Sequence, residues 1–117
     1  MIEIYELPLG RIIFGFSDEH LTVGLLTLNP GQALAKHSRP VREQLVQASG
    51  MCVMQLFEKD VLVKEVTLYE RDRLEIPANQ FHIHSNSSNE RSITLFKFEG
   101  NVTEQVEKIR NTFKKVL

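Results

Sequence analysis

The sequence lacks the features that mark disulfide-rich, nucleic-acid-binding or membrane proteins. Cys52 is the single cysteine among 117 residues, which excludes an internal disulfide and fits a reducing cytoplasm. The formal net charge of −1 provides no basic surface for nucleic acid. The longest apolar runs, such as residues 61–63, are too short to span a membrane. The N-terminus lacks the basic and apolar regions of a signal peptide, so a cytoplasmic protein is expected.

The chain also lacks repeats, low-complexity tracts and linkers. Its hydrophobic fraction of 42% and charged fraction of 25% are typical of a globular domain. A domain of this length buries about two-thirds of its unfolded surface, which is enough for a core of its own. A single domain over residues 1–117 is therefore expected.

What the sequence does contain is a series of short β-type segments separated by turn signals. Residues 21–28 are apolar on both faces, which predicts core on one side and a helix or a second subunit on the other. The polar link 58–60 predicts a hairpin. Because no helical pattern interrupts the series, it predicts an antiparallel sandwich or barrel over about residues 11–100. The predicted extended segments are 11–16, 21–28, 33–39, 51–57, 61–69, 73–76, 81–86 and 92–98.

The tail changes to a helical period and predicts an α-helix over about residues 102–116. Asn101 is the expected N-cap, and Glu104 completes a capping box. Lys114 and Lys115 suit the negative end of the helix dipole. The apolar face is expected to pack on the barrel rather than on a partner. Its residues are Val102, Val106, Ile109, Phe113 and Val116.

Two polar stretches of the chain carry the candidate functional residues. Alternate side chains of an extended strand share a face, so His37 points the same way as Arg39. By the same rule His82 shares a face with His84 and Asn86. The two stretches therefore present polar side chains to a common interior if they pair within the barrel.

Such pairing would bring His37, Glu43 and His82 together, with a bend after Pro40 returning the carboxylate of Glu43 beside His37. Two imidazoles and one carboxylate are ligand types of divalent iron, manganese, zinc and nickel. The residue types do not select among these metals, and the sequence leaves open whether any is bound.

At these residues the chain resembles the cupin family, whose fold is a small jelly-roll barrel. The resemblance covers about residues 20–100 and implies an all-β, single-domain cupin-like barrel, here with a C-terminal α-helix. The first family motif, Gly-x5-His-x-His-x3–4-Glu-x6-Gly, matches at Gly31, His37, Glu43 and Gly50. The second, Gly-x5-Pro-x-Gly-x2-His-x3-Asn, matches at Pro77, His82 and Asn86.

Three positions depart from these motifs. Arg71 and Asn79 replace two glycines, and asparagine tolerates left-handed turn angles. Arg39 stands where the second histidine belongs, and a guanidinium has no lone pair for a metal. At about 4 Å its charge would repel a divalent ion by roughly 8 kcal/mol at an effective dielectric of about 20. Arg39 must therefore turn away from a bound metal, or pair with Glu43 in its place.

The resemblance implies that His37, Glu43 and His82 are the metal ligands. Arg39, His84 and Asn86 are then predicted to contact a small, anionic ligand, because arginine grips a carboxylate with two parallel hydrogen bonds. Two alternatives stay open for His84, namely a substitute metal ligand or a satisfied buried histidine.

Three functions are compatible with the sequence. The first is a metal-dependent enzyme, for which the resemblance to cupins implies dioxygenase, isomerase or decarboxylase chemistry. The second is a non-catalytic barrel that binds a small ligand without metal, which the arginine at position 39 favours. The third is a structural homodimer, which the doubly apolar segment 21–28 permits and the resemblance implies.

Overall fold

The structure is a computed structural model that describes residues 2–117. Within them the chain forms ten β-strands and one α-helix. The strands are β1 (Glu3–Leu7), β2 (Gly10–Ser17), β3 (Leu21–Leu28), β4 (Glu43–Ser49), β5 (Cys52–Glu58), β6 (Val61–Leu68), β7 (Arg73–Ile76), β8 (Phe81–Ser85), β9 (Ser92–Glu99) and β10 (Lys114–Lys115), and the helix is α1 (Thr103–Thr112).

The strands form two antiparallel sheets that enclose the core. The larger sheet has the order β10-β1-β2-β3-β9-β4-β7, and the smaller has the order β6-β5-β8. The crossovers between the sheets place strands that are distant in sequence beside one another, as in a jelly roll. Large side chains that are completely buried include Leu28, Leu45, Met54, Leu68 and Ile76. The all-β, single-domain fold with a C-terminal helix is therefore confirmed.

The predicted β-segments at 11–16, 21–28 and from 51 to 98 are confirmed as β2, β3 and β5 to β9. The hairpin at 58–60 is also present, since Glu58 pairs with Val61 across it. The segment 33–39 is not a regular strand, contrary to prediction. Two isolated bridges, Ala33–Ser85 and His37–His82, pair this segment with β8. The bridged residues are four positions apart in the segment but three positions apart in β8. The offset breaks the ladder, as a bulge does.

Strand β4 was not predicted, because its inward positions are partly polar. Glu43, Leu45 and Gln47 are the buried, alternating residues of this strand, with 7%, 2% and 0% of their surface exposed. A pattern of period two predicts a strand only when the buried positions are apolar. Such a breach of local pattern is expected at functional or strained sites, and β4 therefore marks where the interior becomes polar.

The four glycine positions of the two motifs share a left-handed backbone. Gly31 and Gly50 have φ of 78° and 67°, and Arg71 and Asn79, which replace the other two glycines, have φ of 75° and 65°. Glycine adopts this conformation readily, asparagine tolerates it, and other residues adopt it at a cost of about 1–2 kcal/mol. The turns are therefore kept despite the substitutions. The turn at Asn79 also positions the candidate site, because its backbone N–H donates to the carbonyl of Arg39 at 2.7 Å.

Helix α1 is shorter at both ends than the predicted 102–116. It begins at Thr103, whose N–H donates to Asn101 Oδ1 at 3.0 Å, and Val102 occupies the cap position without a side-chain bond. It ends at Thr112, and Phe113 is extended. The free edge of β1 pairs with β10, since the Val116 N–H donates to the Ile4 carbonyl at 2.8 Å. Because these last residues pair with β1, they do not continue the helix. Lys114 and Lys115 therefore do not lie in its last turn, and Val116 does not belong to its apolar face, contrary to prediction.

The predicted packing of the helix on the barrel is confirmed. Val102 and Val106 are buried, and Ile109 and Phe113 pack against the core. Arg110 fixes the outer side of the helix to β1 through a two-pronged bond to Glu3, with Nε to Oε1 at 2.9 Å and Nη2 to Oε2 at 2.6 Å. These hydrogen bonds, followed by one from Tyr5, lower the pKa of Glu3 to about 2. The pair therefore holds α1 over one end of the barrel.

Replacing Arg110 with glutamine is expected to lower the free energy of unfolding at neutral pH by about 1–2 kcal/mol, because it removes a two-pronged charged pair that is only partly solvated. Glu3 has a depressed pKa in the folded state, so its contribution is complete above pH 4.5 and is lost as the pH falls toward 2. Urea unfolding at pH 7 and near pH 3 measures this difference. Lys108→Gln is the matched control on the same helix, and an equal loss in both variants would contradict the proposed role.

β3 lies in the centre of the larger sheet, between β2 and β9. Its residues Thr22 and Leu28 are completely buried, whereas Leu21, Val23 and Leu25 on the opposite face are half-buried. Helix α1 packs on the inner side of the sheet. It is therefore not the helix that was predicted as one way of covering the outer face of β3. The homodimer stays a prediction. Among residues 2–117, no helix has the length and the hydropathy that a membrane span requires.

Candidate functional site

A cavity of about 260 Å³ lies between the sheets and beneath α1. It has a polar end and a larger apolar wall. The polar lining consists of His37, Arg39, Glu43, His82, His84, Thr94 and Gln105. The structure thus brings together the three predicted metal ligands and two of the three residues predicted to contact a small ligand.

His37 and His82 face each other at the polar end. Their backbones form an isolated bridge, and their ring centroids are 4.3 Å apart. In each residue the imidazole Nδ1 lies against a carbonyl two residues upstream, at 2.7 Å from Ala35 O and 2.9 Å from Gln80 O. A carbonyl only accepts, so Nδ1 carries a proton in both residues, and a ring without a second proton has its lone pair on Nε2. Metal-ligating histidines are commonly oriented by such a hydrogen bond.

One carboxylate oxygen of Glu43, Oε2, is buried beside His82. Glu43 Oε2 is 3.3 Å from His82 Nε2. Despite this distance, Oε2 is buried and has no hydrogen-bond partner among the described residues. A carboxylate oxygen and an imidazole lone pair are both acceptors, so they repel each other unless a cation or proton lies between them. A buried, unsatisfied polar atom of this kind requires a functional or structural explanation.

Arg39 contributes a positive charge to the same end of the cavity. Its side chain makes one hydrogen bond within residues 2–117, from Nη1 to the carbonyl of Ser38 at 3.2 Å. Burial lowers the pKa of Arg39, while the charge of Glu43 raises it. Burial, followed by the charge of Arg39, lowers the pKa of His37 to about 4. His37 is therefore a neutral imidazole near pH 7, as metal binding requires.

His84 lines the cavity, but it is part of a buried polar chain. Its Nε2 lies 3.2 Å from Thr94 Oγ1, and that hydroxyl donates to Gln47 Oε1 at 2.7 Å. Gln47 Nε2 in turn donates to Ser92 Oγ at 2.9 Å. Because Thr94 gives its single proton to Gln47, we assign the Nε2 proton to His84. Of the two alternatives for His84, a substitute metal ligand and a buried histidine with its hydrogen bonds satisfied, this arrangement corresponds to the second. Burial lowers the pKa of His84 to about 4.

Asn86, for which a ligand-binding role was predicted, is not among the residues that line the cavity. Its Nδ2 donates to the carbonyls of Leu28 and Glu90 at 3.0 and 2.7 Å. Its Oδ1 accepts bonds from the backbone and hydroxyl of Ser88 at 3.0 and 2.7 Å. Asn86 shares a buried strand face with His82 and His84, as predicted, but its amide is used to fasten the loop after β8.

The donor set fits a divalent cation in its chemistry. Two imidazoles and one carboxylate line the polar end, and these are donor types that bind divalent transition metals. Within residues 2–117, however, no three His, Cys, Asp or Glu side chains stand close enough to hold a metal ion as they are placed. Binding at His37, Glu43 and His82 therefore requires side-chain movement.

Several cavity residues were not predicted from the sequence. Thr94 lies on β9, distant in sequence from the motifs, and its alternation with apolar residues was the available signal. The apolar wall comes from the β1–β2 turn and from the helix, which carry no family motif. Its residues include Leu7, Pro8, Leu9, Ile12, Val106 and Ile109.

Comparisons with known proteins identify the fold. The sequence gives no match to protein-family models or to curated proteins. Among solved structures, a Bacillus halodurans protein is 19% identical with a TM-score of 0.70, and the match covers 74% of this chain and 67% of that one. A Klebsiella pneumoniae protein with a double-stranded β-helix domain is 19% identical with a TM-score of 0.65, and the match covers 76% of this chain and 75% of that one.

Oxalate decarboxylase from Bacillus subtilis, an enzyme with Mn(II) centres, is 22% identical with a TM-score of 0.74. The match covers 82% of this chain and 27% of the decarboxylase, so this chain spans about a quarter of that enzyme. At identities below 25%, this structural likeness shows the fold alone. The chain is therefore an all-β, single-domain protein with the cupin-like jelly-roll fold.

Proposed function

We propose that this protein is a small-molecule-binding barrel that holds a divalent transition-metal ion with His37, Glu43 and His82 and acts as a metal-dependent enzyme on a small acidic substrate. The observation that carries the proposal is that Glu43 Oε2, which has no hydrogen-bond partner among residues 2–117, lies 3.3 Å from His82 Nε2. A cation between these two acceptors would remove their repulsion and satisfy both.

A bound metal would supply Lewis-acid polarisation of a substrate oxygen. The remaining groups have separate tasks. The carbonyls of Ala35 and Gln80 hold the Nδ1 protons of the two histidines and keep both Nε2 atoms free. Arg39 presents a partly desolvated guanidinium to a substrate carboxylate. The apolar wall excludes water and strengthens these charge interactions. The likeness in fold to a decarboxylase with Mn(II) centres agrees with decarboxylase chemistry. Because one fold hosts many reactions, oxygenase and isomerase chemistry fit the fold equally well.

A second function is favoured by Arg39 itself. Burial lowers the pKa of Arg39, and the nearby charge of Glu43 partly offsets this effect. The guanidinium is therefore a candidate counter-ion for Glu43 in place of a metal. In that case the barrel binds an anion without metal and without catalysis. The two functions differ in whether the cavity takes up a divalent ion.

Titration of the untagged full chain with Mn²⁺ by calorimetry distinguishes them. We expect one ion per chain, and we expect His82→Gln to weaken binding by at least about 100-fold, since even outer-shell partners contribute 10–100-fold to affinity. His20→Gln is the matched control, because His20 is an exposed histidine in the turn before β3. Absence of Mn²⁺, Fe²⁺, Ni²⁺ and Zn²⁺ uptake by the unsubstituted protein would refute the metal function and favour the metal-free barrel.

A further inference from the structure

The cavity is divided across the larger sheet into two chemically different ends. Glu43 lies on β4, whereas the apolar residues Ile12 and Phe14 lie on β2. β3 and β9 separate these strands, so three strand spacings of about 4.8 Å place them about 14 Å apart along the sheet. A ligand that fills the cavity therefore meets charge at one end and hydrocarbon at the other.

An aromatic floor connects the two ends. Phe98 pairs directly with Glu43, and its ring centroid lies 5.4 Å from that of Phe96. The Phe96 ring in turn lies 6.2 Å from Phe14 on the far side. Gly24 leaves the space that Phe96 occupies, since a Cβ there would lie 2.6 Å from the Phe96 ring. The floor is continuous and apolar, which suits a flat or linear hydrocarbon group.

Helix α1 forms the wall at the apolar end. Val106 and Ile109 line the cavity from the helix, and Leu9 and Ile12 line it from β2 and the turn before it. The bond between Glu3 and Arg110 holds the helix in this place. The wall is therefore a built part of the site and not a loosely placed tail.

The volume and the charge limit the ligand further. At about 30 Å³ for each water-sized group, the 260 Å³ cavity accommodates about nine non-hydrogen atoms. Arg39 is the positive side chain in the polar lining, and one hydrogen bond to a backbone carbonyl leaves most of its five donors for a ligand. A small dicarboxylate such as oxalate would leave the apolar wall uncovered.

We propose that the cavity binds an amphipathic monocarboxylate of about nine non-hydrogen atoms, with the carboxylate at Arg39 and the hydrocarbon part between the Phe96–Phe98 floor and α1. This deepens the proposed function and rests on it for the acidic end of the ligand. The apolar end rests on the cavity wall alone.

A chain-length series tests the apolar end. Calorimetry with propanoate, pentanoate and heptanoate is expected to show affinity rising about fourfold per methylene, or about 250-fold over the four methylenes of the series. Undecanoate should gain nothing further, because heptanoate already fills the volume. Heptan-1-ol, which matches heptanoate in length but has no charge, should bind at least tenfold more weakly. Oxalate or propanoate binding as tightly as heptanoate, or heptanoate failing to bind saturably, would overturn the proposal.

Variants at the two ends separate their contributions. Ile109→Phe should fill the apolar end and weaken heptanoate binding at least tenfold while leaving Mn²⁺ binding unchanged, and Lys108→Gln on the same helix should change neither. Arg39→Gln, which does not disturb the core, should abolish the preference for heptanoate over heptan-1-ol. Unchanged heptanoate binding in Ile109→Phe, or an unchanged preference in Arg39→Gln, would contradict the placement.

The two proposals fail in different ways. Uptake of Mn²⁺ without heptanoate binding overturns the ligand class and leaves the proposed metal site standing. Heptanoate binding with the predicted length dependence, but without uptake of any divalent ion, supports the ligand class and overturns the metal-dependent function.

Discussion

Replacing Glu43 with glutamine is expected to abolish metal binding and, at the same time, to stabilise the metal-free protein. Within residues 2–117, Glu43 Oε2 is a buried acceptor without a hydrogen-bond partner, and it lies 3.3 Å from His82 Nε2. A glutamine amide at this place donates to Nε2 and converts repulsion between two acceptors into a hydrogen bond. Relieving a buried unsatisfied polar group contributes about 1–3 kcal/mol.

The expected signature is a gain of about 1–3 kcal/mol in unfolding free energy together with a loss of at least about 100-fold in Mn²⁺ affinity. Opposite effects on stability and binding are characteristic of residues kept for function. Urea unfolding of the metal-free protein and calorimetric titration measure the two quantities.

Glu75→Gln is the matched control for this substitution. Glu75 lies on β7, opposite Gln44 of β4, and its side chain is exposed on the surface beside Arg42. Its replacement should change stability by less than about 1 kcal/mol and leave metal binding intact. If Glu43→Gln instead destabilised the metal-free protein, Glu43 would be a member of a structural ion pair and the metal site would lose its main support.

Replacing Arg39 with histidine is expected to raise Mn²⁺ affinity by at least about 100-fold. The substitution removes a positive charge that would repel a divalent ion by roughly 8 kcal/mol at about 4 Å and an effective dielectric of about 20. It also adds a fourth ligand, and a third nitrogen, to the three ligands proposed. Since Arg39 can turn away from a bound ion, part of the repulsion is already avoided, and a gain of about 2.7 kcal/mol corresponds to 100-fold.

Arg39→Gln separates the two contributions, because it removes the charge without adding a ligand. We expect it to raise Mn²⁺ affinity by a smaller factor, about tenfold, in the same calorimetric titration. If neither substitution changed the affinity, Arg39 would not occupy the ligand position that its place in the motif implies.

The sequence predicted most strands because their alternation and turns are local features. It missed β1 and β10 near the two termini, and it missed β4, since Glu43 and Gln47 occupy inward positions that the pattern expects to be apolar. It placed the end of the helix too late, because the last residues pair with the edge of β1. That edge lies about a hundred residues away in the chain, and a helical period contains no information about it.

The candidate site was predicted unevenly for the same reason. The shared face of His82 and His84 followed from strand alternation and is seen in the structure. Their different roles follow from partners on other strands, since His82 faces Glu43 and His84 faces Thr94. The apolar half of the cavity joins the turn after β1 to α1, and only the folded chain brings these segments together.

The metal site is tested most directly by the imidazole nitrogens themselves. Long-range ¹H–¹⁵N correlation spectra of the metal-free and Zn²⁺-loaded protein report the tautomer of each histidine and its coordinating atom. The structure predicts that His37 and His82 carry their proton on Nδ1 without metal and that their Nε2 resonances shift when zinc is added, while His20 does not change. A proton on His82 Nε2, or Nε2 resonances of both residues that do not respond to zinc, would contradict a metal site at His37, Glu43 and His82.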